Sequence, residues 1–305
     1  MNRLLLAALL GLLWAGGAAA QSRSRLDDIR TAGIMTCAAE ARPGFADSVD
    51  DAAPQGVAVQ LCRALAIAVL GPQARIRFTL PEADAAFDDL GRGGADVVFL
   101  TAASLSLHHL TASFVPGPVV FFDPIAALVP AASSVHAPED LAGRPICVKI
   151  GSPGHAALEA RLGQLAPPVM RMTFREDVEM LDTYNVGGCD AAVDEASRLA
   201  EMRGLGGVNR LKSRVIAPPL GMTSIIAATP ASDGAWSGLV FWVLDALIAD
   251  RQPPSPWRGE LAVAVHGLRP GWRAEVKAAL GPDPVTPDDE AWPNAPWPAG
   301  LLPPH

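Results

Sequence analysis

The sequence predicts an α/β protein made of two similar lobes. Its first sign is a repeat: Gly93-Gly94-Ala95-Asp96-Val97-Val98 returns as Gly187-Gly188-Cys189-Asp190-Ala191-Ala192. Each copy follows an amphipathic helical pattern, turns on glycine, enters an apolar strand through Asp, and runs on to a small polar segment (Thr101 to Ser104; Asp194 to Ser197). The second sign is their separation, roughly a hundred residues, which is the size of a lobe. The third is the alternation of strand-like and helix-like periodicity around both copies, the mark of parallel strands with crossover helices. A cleft between two such lobes is a common place for a small ligand.

The elements follow in order. A helix start is predicted at 27–31 and a first strand at 34–38, leading into the loop from Glu40 to Phe45. Over 57–70 the period is helical, with Leu61, Leu65 and Val69 on one stripe and Cys62 beside it, and Gly71-Pro72 stops the helix. Strand 75–80, helix 82–90 and strand 96–100 complete a β-α-β-α-β unit. After Pro116-Gly117-Pro118, a strand over 119–129 carries the chain out of the first lobe.

The second lobe repeats the theme: strand 145–150, helix 154–162, strand 169–174, helix 177–184, strand 190–193, and a helix from 195. A return strand is predicted over 216–228. Good helix formers make 236–249 a strongly apolar helix, and a last helix spans 271–280. The Pro/Trp-rich stretch 282–305 reads as a poorly ordered tail.

The N-terminus addresses the chain for export. Arg3 precedes an apolar run from Leu4 to Trp14, and Ala18-Ala19-Ala20 offers a cleavage point before Gln21, so residues 1–20 read as a signal peptide. The run is short for a membrane span, and no other stretch approaches the ~18 apolar residues such a helix needs. The expected compartment is the periplasm, with no insertion into the membrane. The net charge of -8 disfavours nucleic acid or an anionic membrane surface as partner. Hydrophobic residues make up 50% of the chain, enough for a sizeable core.

Four cysteines, Cys37, Cys62, Cys147 and Cys189, fit an oxidising compartment and read as disulfides. Three connectivities are open. If each lobe closes its own bridge, the pairs are Cys37 with Cys62 and Cys147 with Cys189, each contributing about 3 to 4 kcal/mol through loop closure. The spacings of zinc sites are missing.

The layout resembles the periplasmic substrate-binding proteins of amino-acid ABC transporters, in the general L-amino-acid-binding branch of solute-binding family 3. The residues that carry the resemblance are Leu26-Asp27-Asp28-Ile29-Arg30 to Cys37, Pro43-Gly44-Phe45, and Leu61-Cys62-Arg63-Ala64-Leu65-Ala66 with Val69-Leu70-Gly71. It continues through Leu141 to Gly151, Gly188-Cys189-Asp190, Pro219-Leu220-Gly221, Trp242 to Ile248, and Gly267-Leu268 with Trp272.

That resemblance implies a type 2 periplasmic-binding fold whose two hinge strands let the lobes close on a ligand. It divides the mature chain into a first lobe of residues 21–122 plus 220–281 and a second of 123–219. It implies an inner-membrane ABC permease as partner, a monomer, no cofactor and no catalysis. In the family an Arg of the first lobe clamps the ligand carboxylate and an acid of the second holds its ammonium, since guanidinium matches carboxylate and carboxylate matches amine.

Transferred position by position, the site becomes specific. The place of the arginine holds His108, and the preceding triplet reads Thr101-Ala102-Ala103, with Ala103 where a hydroxyl is expected. The strand-to-helix loop Val148-Lys149-Ile150-Gly151-Ser152 is kept, and its backbone N–H groups suit an anion at a helix N-terminus. Asp194 and Glu195 stand where the ammonium is held. Phe45, read from its place in the loop, either stacks on a ligand or plugs the lobe, and the cleft is the reading taken here. Losing one partner of a buried charge pair costs on the order of 2 to 5 kcal/mol, so ordinary amino acids are expected to bind weakly unless Arg42, Lys149 or a protonated His108 replaces the clamp.

Two alternatives stand beside this reading. One is an accessory or sensory protein on the same scaffold, which the altered clamp favours. The other is a periplasmic enzyme such as a dehydratase, although nucleophile-elbow, zinc-protease and P-loop patterns are missing. A metal site built from His108, His109 and His155 with Asp194 or Glu195 has no motif behind it.

Overall fold

The computed structural model describes residues 24–48, 53–81, 83–104, 114–205, 212–249 and 267–281. The expected signal peptide, the Pro/Trp-rich tail, His108 and His109 lie outside the described residues. Among those described, one sheet of eight strands runs through the molecule. Its strands are β1 (Ile34–Ala39), β2 (Arg75–Thr79), β3 (Val97–Thr101), β4 (Phe114–Pro130), β5 (Pro145–Lys149), β6 (Met170–Phe174), β7 (Ala191–Glu195) and β8 (Ser213–Pro230). They lie in the order β2-β1-β3-β8-β4-β7-β5-β6.

Direction divides this sheet in two. Strands β1, β2 and β3 are mutually parallel, as are β5, β6 and β7. Between the sets lie β4 and β8, 17 and 18 residues long, antiparallel to one another and each antiparallel to the neighbouring set. The result is two α/β lobes, as the repeat predicts, joined by two long strands, as the family resemblance implies. The two copies of that repeat also hold equivalent places. The Asp96 N–H donates to the Thr36 carbonyl of β1 at 2.7 Å, and the Asp190 N–H donates to the Pro145 carbonyl of β5 at 2.8 Å.

Helices cover the sheet on both faces: α1 (Arg25–Ala32), α2 (Val57–Leu70), α3 (Ala83–Arg92), α4 (Pro153–Leu162), α5 (Asp177–Asn185), α6 (Ala196–Leu205), α7 (Gly234–Ala249) and α8 (Trp272–Leu280). Helix α1 ends because Gly33 adopts a left-handed conformation, φ 63°, which lets its N–H close onto the Ile29 carbonyl. Helix α2 is apolar apart from Gln60 and the exposed Arg63, as expected of a helix packed between a sheet and other helices, and Val57, Leu61, Leu65 and Val69 are all buried. Helix α4 starts on Ser152, whose hydroxyl accepts the His155 N–H, with Pro153 at the first helical position.

On one face of the first lobe, Leu61, Leu65, Phe99, Phe121 and Trp236 form a continuous core; on the other, Phe87, Leu90, Val98 and Leu100 pack together. In the second lobe Leu158 and Leu162 of α4 pack on Ile146, Val148 and Val193. Each such side chain contributes about 1.5 to 3 kcal/mol on burial. The buried Trp236 indole N–H donates to the Asp96 carbonyl at 2.9 Å, so its polar atom costs nothing.

Both disulfides form within lobes. Cys37 of β1 bridges to Cys62 of α2, with Cα atoms 6.2 Å apart. Cys147 of β5 bridges to Cys189, just ahead of β7, with Cα atoms 5.7 Å apart.

Candidate functional site

Topology points to one place. Strand β3 ends on Thr101, paired with Ile225, while β7 ends on Glu195, paired with Ile125. Those two positions lie close to the middle of the crossing strands, where Asp123 pairs with Thr223 and Ile125 with Gly221. Both parallel sets therefore aim their C-terminal ends at one another across the midpoint of β4 and β8. The C-terminal ends of parallel strands are where open α/β sheets bind ligands. Thr101, Lys149, Asp194 and Glu195 all sit at such strand ends.

The centre of this region is a buried ion cluster. Arg42, in the loop after β1, places Nη1 2.9 Å from Asp123 Oδ2 and 2.8 Å from Glu195 Oε1. Side-chain exposures are 3%, 0% and 1% for Arg42, Asp123 and Glu195. Ser197, in the first turn of α6, donates its hydroxyl to Asp123 Oδ2 at 2.6 Å and its backbone N–H to Oδ1 at 3.1 Å. Burial works against the charge on Arg42, yet the Glu195 and Asp123 carboxylates outweigh it and hold the guanidinium above its ordinary range. Burial raises the Asp123 carboxyl, with Arg42 and Ser197 opposing that rise.

Asp194 is different. It is fully buried, its Oδ1 accepts the Glu195 N–H at 2.8 Å, and its Oδ2 has no hydrogen-bond partner. Desolvation pushes this carboxyl up to about 7, with the neighbouring Glu195 charge adding to the rise. Its backbone is also crowded: a Cβ on Gly154, in the first turn of α4, would stand 3.0 Å from the Asp194 Cα.

Around this core runs a partly exposed rim of paired charges. Lys149 Nζ lies 3.0 Å from Asp177 Oδ2, and Arg198 Nε lies 3.4 Å from Glu195 Oε2. Lys149 is therefore committed within its own lobe. In the strand-to-helix loop Gly151 is exposed and donates its N–H to His155 Nδ1 at 3.4 Å, while Ser152 caps α4. On the first lobe the Thr101 hydroxyl is 2.7 Å from that of Ser104 and accepts the Ser104 N–H, and Ala103 is exposed.

Several residues named from sequence are thus brought together and others are not. Asp194 and Glu195 occupy the last two positions of β7, inside the strand rather than in the first turn of the following helix. Phe45 lies in the first-lobe core, 1% exposed, its ring 4.9 Å from that of Phe121 and edge-on to Phe99 at 6.2 Å. In this structure its ring packs on aromatics and leaves no face for a solute. His108 falls outside the described residues.

Asp123 and Ser197 were not singled out from sequence. Asp123 had a readable signal: a lone acid within the apolar run 119–129, which requires a buried partner. Among the described residues no cluster of His, Cys, Asp or Glu is placed to hold a metal ion, and no helix is long and apolar enough to cross a membrane.

Comparison with known proteins agrees with this geometry. No protein-family model matches the chain. It is 26% identical to the general L-amino acid-binding periplasmic protein AapJ of Rhizobium johnstonii, over 81% of this chain and 72% of that protein. It is 27% identical to the glutamate/glutamine/aspartate/asparagine-binding protein BztA of Rhodobacter capsulatus, over 76% of this chain and 69% of that protein. A solved periplasmic binding protein from Brucella ovis with glutathione bound superposes with a TM-score of 0.64 at 18% identity, covering 84% of this chain and 87% of that one. The fold is the bilobal periplasmic-binding fold, and the chain's relatives are periplasmic amino-acid-binding proteins of ABC transporters.

Proposed function

We propose that this protein is a periplasmic solute-binding protein that captures a small polar ligand, an amino acid or a related amine or acid, between its two lobes and delivers it to an inner-membrane ABC permease. The observation that carries the reading is the meeting of two parallel strand sets, C-terminal ends facing, at a charged midpoint of two shared strands. A lobe made of residues 21–122 and 220–281 closes against one made of 123–219, with β4 and β8 as the hinge. The chain is exported by its first 20 residues, acts as a monomer and catalyses nothing. Sequence relatives named as binding proteins support the binding role.

Thr101, Ala103, Lys149, Gly151, Ser152, Asp194 and Glu195 are the ligand-binding set in this reading; His108, also named from sequence, lies outside the described residues. The test is native mass spectrometry of the exported protein to identify what copurifies, followed by titration calorimetry and small-angle scattering with that compound. A saturable one-to-one heat with a fall in the radius of gyration is expected. No copurifying solute, and no compaction with a panel of amino acids, organic acids and glutathione, overturns it. Chemical change of the bound compound on incubation would favour an enzyme instead.

A further inference from the structure

This inference goes beyond ligand capture and concerns the protein with nothing bound: we propose that Arg42 is an intramolecular latch, a first-lobe cation seated between two second-lobe carboxylates that holds the lobes together before any solute arrives. Arg42 follows β1, in one parallel strand set, and Glu195 ends β7, in the other. Arg42 Nη1 is 2.8 Å from Glu195 Oε1, and the same nitrogen lies 2.9 Å from Asp123 Oδ2. Other ion pairs stay within one lobe: Arg25 faces Asp96 in the first, while Lys149 faces Asp177 and Arg144 faces Asp190 in the second. Arg42 reaches across.

Each side of the contact is fixed to its own lobe. On the first, the Arg42 N–H donates to the Ala46 carbonyl at 2.7 Å, and the Arg42 carbonyl accepts the N–H groups of Phe45 and Ala46 at 3.1 and 2.8 Å. The Glu40 N–H donates to the Phe99 carbonyl of β3 at 3.3 Å, and the Phe45 ring packs on Phe99 and Phe121, so the loop cannot follow a departing second lobe. On the other side, Ser197 binds Asp123 through both its hydroxyl and its backbone N–H, which ties this β4 carboxylate to α6. Glu195 directly precedes that helix. Rotation of the second lobe about β4 and β8 therefore carries both acids away from the guanidinium together. Asp123, fully buried on β4, is then left with Ser197 alone. Stripping the cation from a buried carboxylate is costly, and that cost falls on the open state. A protein latched in this way rests partly closed, and a solute adds its binding energy to an equilibrium already tilted.

Single-molecule energy transfer on the solute-free protein tests this, with dyes on the exposed Ala85 of α3 and Glu179 of α5, each in the first turn of its helix. Arg42→Met removes the charge at comparable length and is expected to lower the closed-to-open ratio by about tenfold or more. Arg42→Lys keeps a cation and should lower it less. An unchanged ratio in folded Arg42→Met overturns the latch, and an equal drop in both variants counts against it, since shape and not charge would then be responsible. Where Arg42→Met does not fold, Glu195→Gln is the readout, because Arg42 keeps Asp123; a fall in the ratio is again expected, and no fall overturns the proposal. Failure of both to fold also overturns it, since the cluster is then part of the core and not a separable contact. The populations are read without solute, so the latch can fail while the delivery reading stands. A ratio that falls as expected, with no compaction by any compound of the panel above, keeps the latch and removes the delivery reading.

Discussion

At the scale of single residues, the region is defined by which carboxyls have found a cation. Asp123 and Glu195 share Arg42, whereas Asp194 lies buried with one oxygen unmatched. The sign of the consequence follows from linkage. A carboxyl whose folded-state value is raised binds its proton more tightly folded than unfolded, so stability falls as pH climbs from about 4, the unfolded value, to about 7. Asp194→Asn should therefore stabilise the fold at pH 8, by on the order of 4 kcal/mol at most, and raise its melting temperature there. That margin should vanish below about pH 3; thermal melts at pH 8 and below about pH 3 check it. Asp123→Ala, which leaves a buried guanidinium with one partner fewer, should cost about 3 to 5 kcal/mol in chemical denaturation.

Sequence reading at this scale reached the two acids of β7 and kept Arg42 as a substitute donor. It missed that these groups bind one another. Pairing across a lobe boundary joins residues 42, 123 and 195, which no local pattern connects; only the cost of an acid inside an apolar strand hints at it. Phe45 packs in the core, the second of the two readings its sequence position allows, because an aromatic in a loop looks the same whether it plugs a core or lines a cleft.

At the scale of elements, legibility was high. Strands and helices fell within a few residues of their predicted places, since alternation and period survive in a chain whose strands are mostly buried. The two crossing strands are longer than the expected 119–129 and 216–228; Pro116, Pro118, Pro130 and Pro230 lie in the added ends, where prolines ordinarily end strands. Here the ladder is irregular where they sit: register shifts between Pro116 and Val119, and again between Ile125 and Ala127 opposite the Pro218-Pro219 stretch, accommodate residues that cannot donate. Two element-scale outcomes are expected. Replacing Cys147 and Cys189 together by alanine should cost about 2 to 5 kcal/mol in chemical denaturation. Gly154→Ala should cost about 1 to 3 kcal/mol by forcing α4 off β7, since the new methyl would stand 2.9 Å from the Val193 carbonyl oxygen; denaturant titration measures both.

At the scale of the whole molecule, the repeat made the two-lobe plan visible, because each copy of the glycine-rich unit marks entry into an equivalent strand. Less visible was the continuity of the sheet, which depends on how 17 and 18 residues of β4 and β8 are shared between the halves. Motion should concentrate at their midpoint, so amides around 121–125 and 221–225 should gain protection from hydrogen exchange on ligand binding more than those in the β1 or β5 interior.

Helices α1 and α8 are both fastened to the first lobe. Arg30 reaches the Gly267 carbonyl at 2.8 Å, and the Arg269 N–H donates to the Ala68 carbonyl of α2 at 3.0 Å. Any dye, bead or surface tether attached to either helix rides on that half. The first lobe then serves as stator and the second as rotor, and a single probe on the exposed Val186 would register each swing without a second attachment.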